Sequence, residues 1–446
     1  MRILKVFLYF FLSVVHLHAE ETLFKSLASS YLNNPQLNSQ REKTKAVDET
    51  LIQAYSNFKP TISATLSKGD YQYKNSTDVS GSPVADSNLQ TKTNSITVTQ
   101  KLFQGISNAK KFNKAVEISR HELKEVEQQV LFKSVEAFTE VLLAQKKVLV
   151  NKDNLDLSDK QVELDKARYN KGVVKLSDLA QSESSLASAK AQLLSSEIEL
   201  QTSKSNFKNI VGYEPKNLKI ADLDSVVIPK SLAETVSLAE KNNVQLIIAE
   251  LQVKKAEHDL NSNLEDAFAP KASVSFQVSE SNDFSSSYDK RTQTQAIAQL
   301  SIPIYSGGKN YSQVKEKEAL KISAELDYTD VKNNTTKIAT SAWSNFKLAQ
   351  SKLDLAKAQL KASEIAYEGI VQEYESGQRT TLDVLSSRSF LISARLNLIN
   401  SEKEEVLSRF NLLSVTGNLT ANYLKLETKI YDPKETYNKS WIRHIF

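Results

Sequence analysis

The chain has 446 residues, with 57 Lys and Arg against 53 Asp and Glu and no cysteine. A net charge of +4 is small for this length and gives no support to a nucleic-acid role; the lack of cysteine excludes disulfides and a lipidated N-terminal cysteine. Ten glycines and eight prolines are about a third of the ordinary usage of ~7% and ~5%, so long unbroken helices are expected.

The chain opens with Met1-Arg2-Ile3-Leu4-Lys5, an apolar run from Val6 to Val15, and Leu17-His18-Ala19 before Glu20 and Glu21. A basic start, a short apolar core and a small residue read as a cleaved secretory signal over 1–19. The apolar run is too short for a membrane anchor. A helical stretch follows, and Pro60 ends it. Thr61 to Ser67 then alternates apolar with polar, as does Ser95 to Thr99, and the two are expected to pair as strands. The turn-rich tract from Asp70 to Asn94 reads as an exposed loop. From about Ser107 to Ala167 the chain is Pro-free and heptad-patterned; unbroken, it would run roughly 90 Å at about 1.5 Å per residue.

A break follows at Tyr169-Asn-Lys-Gly172, and then Ser177-Asp178-Leu179. The same order returns in the second half. Asn34-Pro-Gln36-Leu37 matches Asn243-Val-Gln245-Leu246, and Phe58-Lys-Pro60 matches Phe268-Ala-Pro270. Ala272 to Ser279 and Gln295 to Ile302 alternate as strands, with Ser279 to Arg291 between them as a polar loop. Ser306-Gly307-Gly308 reads as a turn before a second long helical tract. The second break is Tyr374-Glu-Ser-Gly377, followed by Leu382-Asp383-Val384; Gly172 to Gly377 and Asp178 to Asp383 are both offset by 205 residues. The chain is therefore internally duplicated.

Apolar seams flank each break. Val148, Leu155, Val162 and Tyr169 fall seven apart, as do Leu353, Leu360, Tyr367 and Tyr374. Leu179, Leu186, Leu193, Leu200 and Phe207 continue by sevens after the first break; Leu385, Ile392, Ile399, Val406 and Leu413 do so after the second. A sustained heptad favours an antiparallel coiled-coil hairpin at each break. A generic helical bundle needs the same seams, so the pattern alone leaves both open.

The strands are close to the ~9–11 residues that cross a bilayer when tilted. A membrane sheet must close on itself, and the smallest transmembrane barrels have about eight strands. Four strands cannot close alone. In a membrane, several chains would have to share one barrel, continued by the helices.

The chain resembles the outer-membrane efflux protein family typified by TolC, from about Leu27 to Leu424. Its most specific element is Tyr374-Glu-Ser-Gly-Gln-Arg379-Thr-Thr-Leu-Asp383-Val-Leu, supported by Ser306-Gly-Gly308 ahead of the long helix. The resemblance implies a mainly α fold with a small β part. Three chains would share a 12-stranded transmembrane barrel in the outer membrane, with an α-helical barrel of long antiparallel helices extending into the periplasm. The first repeat would span 20–230, with a strand hairpin at 61–103 and a helical hairpin at 106–211. The second would span 231–424, with hairpins at 271–304 and 308–417. Residues from Pro215 to Lys230 and the tail after Asn418, including 425–446, would supply an equatorial region.

The same resemblance implies a duct gated at its periplasmic tip. The gate-link positions fall on Ser177, Asp178, Tyr374 and Arg379, around turns at Gly172 and Gly377. Arg379 would fork onto Asp178, and the Tyr374 hydroxyl would bond Asp178 or Ser177. The alternative is that these residues merely cap and solvate two turns. The family pattern places two carboxylate rings at the constriction; Asp383 fits the first, and Ser386 replaces the second.

The implied partners are copies of the chain itself, a periplasmic adaptor (membrane fusion) protein, an inner-membrane transporter of an efflux or type I secretion system, and outer-membrane lipid. No cofactor or nucleic acid is implied. A periplasmic coiled-coil adaptor is the alternative reading, but such a protein would carry one hairpin, not two. A porin or adhesin fits less well, because helix outweighs strand; the terminal Phe446 follows a charged, non-alternating tail. Catalysis is not expected. His121, His258 and His444 are far apart, and no metal-ligand spacing, nucleophile elbow or phosphate loop is present.

Overall fold

The computed structural model describes residues 21–74, 77, 80–83, 87–102, 105–219, 223, 226–285 and 288–435. The expected signal at 1–19, parts of the expected equatorial segment (220–222 and 224–225) and the tail from 436 through Phe446 lie outside the described residues. The elements run β1 (Glu21–Thr22), α1 (Leu23–Asn33), α2 (Pro35–Ser56), β2 (Thr61–Tyr73), β3 (Ser87–Lys101), α3 (Ser107–Asn170), α4 (Leu176–Val211) and β4 (Leu218–Lys219). They continue with α5 (Leu232–Asn242), α6 (Val244–Phe268), β5 (Lys271–Ser285), β6 (Tyr288–Ser301), α7 (Lys309–Glu375) and α8 (Thr381–Val415). No described helix is long and apolar enough to cross a membrane.

The chain divides into two compact units, and each draws on both sequence halves. One comprises the described residues of 41–122, 245–332 and 432–435. It holds a four-stranded antiparallel sheet in the order β2-β3-β5-β6. Within each hairpin the strands pair where the alternation predicted, with Ile62 opposite Val98 and Phe276 opposite Ala296; β3 also pairs with β5, setting Ile96 opposite Val278. This register lines the apolar residues into one band across all four strands, because side chains on paired strands share a face. Ile62, Leu66, Ile96, Phe276 and Leu300 are all exposed in the single chain. The opposite face carries Ser63, Thr97, Gln277 and Gln295, and the Gln295 Nε2 donates to Gln277 Oε1 at 2.8 Å.

The strands are 13–15 residues long, longer than expected. Asp70–Tyr73 and 87–94 are strand rather than loop, and so is most of Ser279 to Arg291. Antiparallel pairing satisfies backbone groups whatever the side chains, so polar residues extend the ladder past the apolar band. In the same unit the Glu265 carboxylate caps α3, accepting from the Ser107 N–H (3.2 Å) and its Oγ (2.7 Å). A Cβ at Gly105 would lie 1.7 Å from Glu265 Oε2, which explains glycine there.

The other unit comprises the described residues of 21–40, 123–244 and 333–431. Its core gathers Leu27, Leu131, Phe138, Phe207, Phe410 and Leu413 from α1, α3, α4 and α8. Phe207 and Tyr213 meet edge-to-face at 5.5 Å. The duplication is visible in detail here. Asn34 and Asn243 each end a short helix in extended conformation. Their Nδ2 groups donate to the equivalent carbonyls Ile210 (3.1 Å) and Val415 (3.0 Å).

Each break joins antiparallel helices. Asn151 on α3 reaches the Gln192 carbonyl on α4 (3.4 Å), and Asn397 on α8 bonds Gln359 on α7 (2.9 Å). The apolar seam needs a correction. On α3, Val148, Leu155 and Val162 are only half-buried and Tyr169 is exposed; the buried row is Ala137, Ala144, Asn151, Ser158 and Asp165. This is the second row of the same heptad. On α7 the matching row is Thr335, Ala342, Ala349 and Ala356, and on α4 it is Ser182, Ala189 and Ser196. Small side chains let the helices pack closely, so on α3, α4 and α7 the small row is enclosed while most of the large row stays partly open; on α8 the expected seam is buried at Ile392, Ile399, Val406 and Leu413.

Candidate functional site

The Tyr-x-x-Gly repeat is a helix C-cap. The Gly172 N–H donates to the Tyr169 carbonyl (2.8 Å), and the Val173 N–H to the Arg168 carbonyl (2.9 Å). Gly377 and Gln378 repeat the pair on Tyr374 (3.0 Å) and Glu373 (2.9 Å). These are the two bonds of a Schellman motif, which needs a left-handed residue after the helix. Gly172 has φ 72° and Gly377 φ 80°, a region that favours glycine.

The next helix is capped in turn. Asp178 sits three residues into α4, and its Oδ2 accepts from the Lys175 N–H (3.2 Å). Asp383 holds the same place on α8. Its Oδ2 accepts from the Thr380 N–H (2.9 Å) and hydroxyl (2.8 Å), and its own N–H donates back to Thr380 Oγ1 (3.3 Å). The latter is a capping box. The Thr380 backbone and hydroxyl donors hold the Asp383 carboxyl below the usual carboxylate range.

Within the chain, the expected links take other partners. Arg379 does not fork onto Asp178; its Nε donates to Glu373 Oε2 at 2.7 Å, and both residues are exposed. The Schellman turn folds residues 373 and 379 back over each other, while Asp178 is held by its own helix start. Tyr374 bonds neither Ser177 nor Asp178. Ser177 and Ser386 are exposed, and Asp383 is half-buried.

Tyr374 is instead 2% exposed, and its hydroxyl donates to the Asp165 carboxylate on α3. Asp165 itself is fully buried. It also accepts from the Ser182 hydroxyl on α4 and from Gln161 Nε2 one turn back (3.0 Å). The Tyr374 oxygen lies 3.2 Å from Thr381 Oγ1 on α8. One carboxylate thus ties α3, α4 and α7 together beside the turns, and the Tyr374 hydroxyl extends the link to α8. Arg168 covers the arrangement, its guanidinium 4.3 Å from the Tyr374 ring centroid and its Nη1 on the Tyr374 carbonyl (3.3 Å). Burial, and then the bond to Asp165, push the Tyr374 phenol upward, so it stays a neutral donor at physiological pH. The two repeat tyrosines differ, since Tyr169 is exposed. Sequence reasoning missed Asp165, Ser182 and Gln161. The available signal was a carboxylate at a seam position three residues after Val162.

An outer membrane efflux protein family model matches residues 27–213 and 235–418, most of the chain. The chain belongs to the outer membrane efflux protein family. It is 27% identical over 421 residues to outer membrane efflux protein BepC of Brucella suis biovar 1 (strain 1330), covering 94% of this chain and 90% of that one. It is 21% identical over 438 residues to outer membrane protein TolC of Escherichia coli (strain K12), covering 93% and 86%. Among solved structures, the Campylobacter jejuni CmeC outer membrane channel superimposes with a TM-score of 0.80 at 14% identity, covering 94% of this chain and 88% of that one. Family membership places the chain in the outer membrane, as an exit duct of an efflux or type I secretion system, and sets aside the adaptor reading. In this efflux protein the two helical hairpins and the four long strands are elements expected from the sequence.

Proposed function

We propose that three copies of this efflux protein assemble into one passive conduit, gated where the Tyr-x-x-Gly turns lie. The observation that carries this reading is the open sheet. Strands β2 and β6 are its two edges, and each pairs on one side only. An apolar band crosses the sheet, and a free edge in lipid leaves backbone groups unpaired. Copies joined β6 to β2 satisfy both edges, and three copies give a closed barrel of 12 strands. Exposed Leu194, Ile198, Leu355, Ile365 and Phe390 on the helices are consistent with burial between copies.

The chain then works as two structural repeats, 20–230 and 231–424, with 425–446 and the segment around Pro215–Lys230 as an equatorial girdle. The chain carries no catalytic role in this reading. Energy comes from an inner-membrane transporter, reached through a periplasmic adaptor. Ser177, Asp178 and Arg379 act at the gate through contacts between copies, and Tyr374 supports it from within the chain through Asp165. Asp383 lines the constriction and Ser386 leaves it with one carboxylate per chain. Reconstitution of the detergent-extracted protein in planar bilayers tests the conduit: discrete single-channel currents are expected, and a protein that never conducts contradicts it.

A further inference from the structure

Arg388 on α8 is 3% exposed. Its hydrogen bond is from Nη2 to Ser185 Oγ on α4, at 2.7 Å. Arg120, Arg379, Arg395 and Arg409 each hold a carboxylate; among the described residues, no carboxylate lies within ion-pair distance of Arg388. A buried cation without a counter-charge is costly, because desolvation is not offset. A guanidinium also presents five N–H donors, and one hydroxyl uses only one of them.

The remaining donors adjoin a cavity of about 460 Å³ lined by α3, α4 and α8. Ser185, Ser188, Ser195, Asn151 and Ser393 line it with Arg388. Its other charges are Lys147 and Glu199, which pair with each other at 2.7 Å. The cavity therefore holds one uncompensated positive charge surrounded by hydroxyl and amide donors. A single negative charge with two planar acceptors matches this setting, since a guanidinium fork and a carboxylate fit bidentately. A doubly charged phosphate would leave an excess of negative charge.

We propose that Arg388 is the seat of a carboxylate-binding site between α3, α4 and α8. The cavity has room for a small organic acid or for an Asp or Glu side chain from another chain.

Thermal unfolding of the detergent-solubilised protein in sodium acetate against sodium chloride, at equal ionic strength, tests it. With a free acid as the occupant, acetate raises the Tm of the wild type by about 2 °C or more and does nothing for Arg388→Gln. Ser185→Asp, which supplies the counter-charge internally, then raises the Tm in chloride and abolishes the acetate response. With another chain's carboxylate as the occupant, acetate has no effect on the wild type. Arg388→Gln and Ser185→Asp then lower the Tm, while the neutral Ser185→Asn does not. If Arg388→Gln does not fold, the Ser185 pair decides alone. Wild-type Tm and acetate response in Arg388→Gln, or in Ser185→Asp where only that variant folds, overturns the proposal, as does equal behaviour of Ser185→Asp and Ser185→Asn.

Discussion

The Tyr374 hydroxyl donates to the buried Asp165 carboxylate across 209 residues of chain. The contact joins the last turn of the long helix in one repeat to the last turns of its counterpart. Removing one partner of a buried hydrogen bond leaves the other short of a mate, at a cost of about 1–3 kcal/mol. Tyr374→Phe should therefore lower the Tm of the assembled protein, whereas Tyr169→Phe, at the exposed equivalent, should not. Equal effects at both positions would show that the Asp165 contact contributes nothing specific.

Gly172 and Gly377 have nothing within 4 Å of an added Cβ, so the cost of substitution is conformational alone. An L-residue in the left-handed region pays about 1–2 kcal/mol. Gly172→Ala and Gly377→Ala should each destabilise by that amount, and asparagine at the same sites by less. A differential scan of the four variants checks this; an alanine tolerated as well as asparagine contradicts it.

Asp383 caps α8 and, in the proposed conduit, faces the constriction. Its folded-state pKa lies below its unfolded value, so its contribution is present above the unfolded pKa of about 3.9 and is lost as pH falls through the folded value. The Tm difference between wild type and Asp383→Asn should be constant near neutrality and shrink below about pH 4. A difference that shrinks between pH 6 and 8 would point to another group.

Ser386 leaves one carboxylate per chain near the proposed constriction, so divalent block of single-channel current should be weak. Strong block abolished only by Asp383→Ala would show that one ring suffices.

Arg379→Ser and Asp178→Ala are expected to raise conductance without disturbing assembly. The Arg379–Glu373 pair is exposed and contributes little to the fold, so an effect on current would come from contacts at the gate. Unchanged conductance in both variants would remove these residues from gating.

Much of this arrangement was legible in the sequence. The repeated Tyr-x-x-Gly fixed both turns, because a left-handed cap demands glycine. Alternation placed Ile62, Ile96 and Phe276 on the apolar faces of their strands. The strand ends were not legible, because residues such as Asp70 and Asn88 carry turn-like chemistry yet sit in the β2–β3 ladder. The enclosed heptad row escaped notice because Ala144, Ser158 and Ala349 give no hydrophobic signal; their smallness is what packs. Asp165 was hidden for the same reason, as a polar residue in a seam. The partners of Arg379 and Tyr374 depended on helix rotation, which sequence spacing does not set.

One chain cannot close its sheet; three can. Native mass spectrometry of the detergent-extracted protein, heated in steps to release subunits, tests this most directly. The expected particle contains three chains and dissociates only on strong activation. A particle of one chain that still conducts in bilayers would contradict the account.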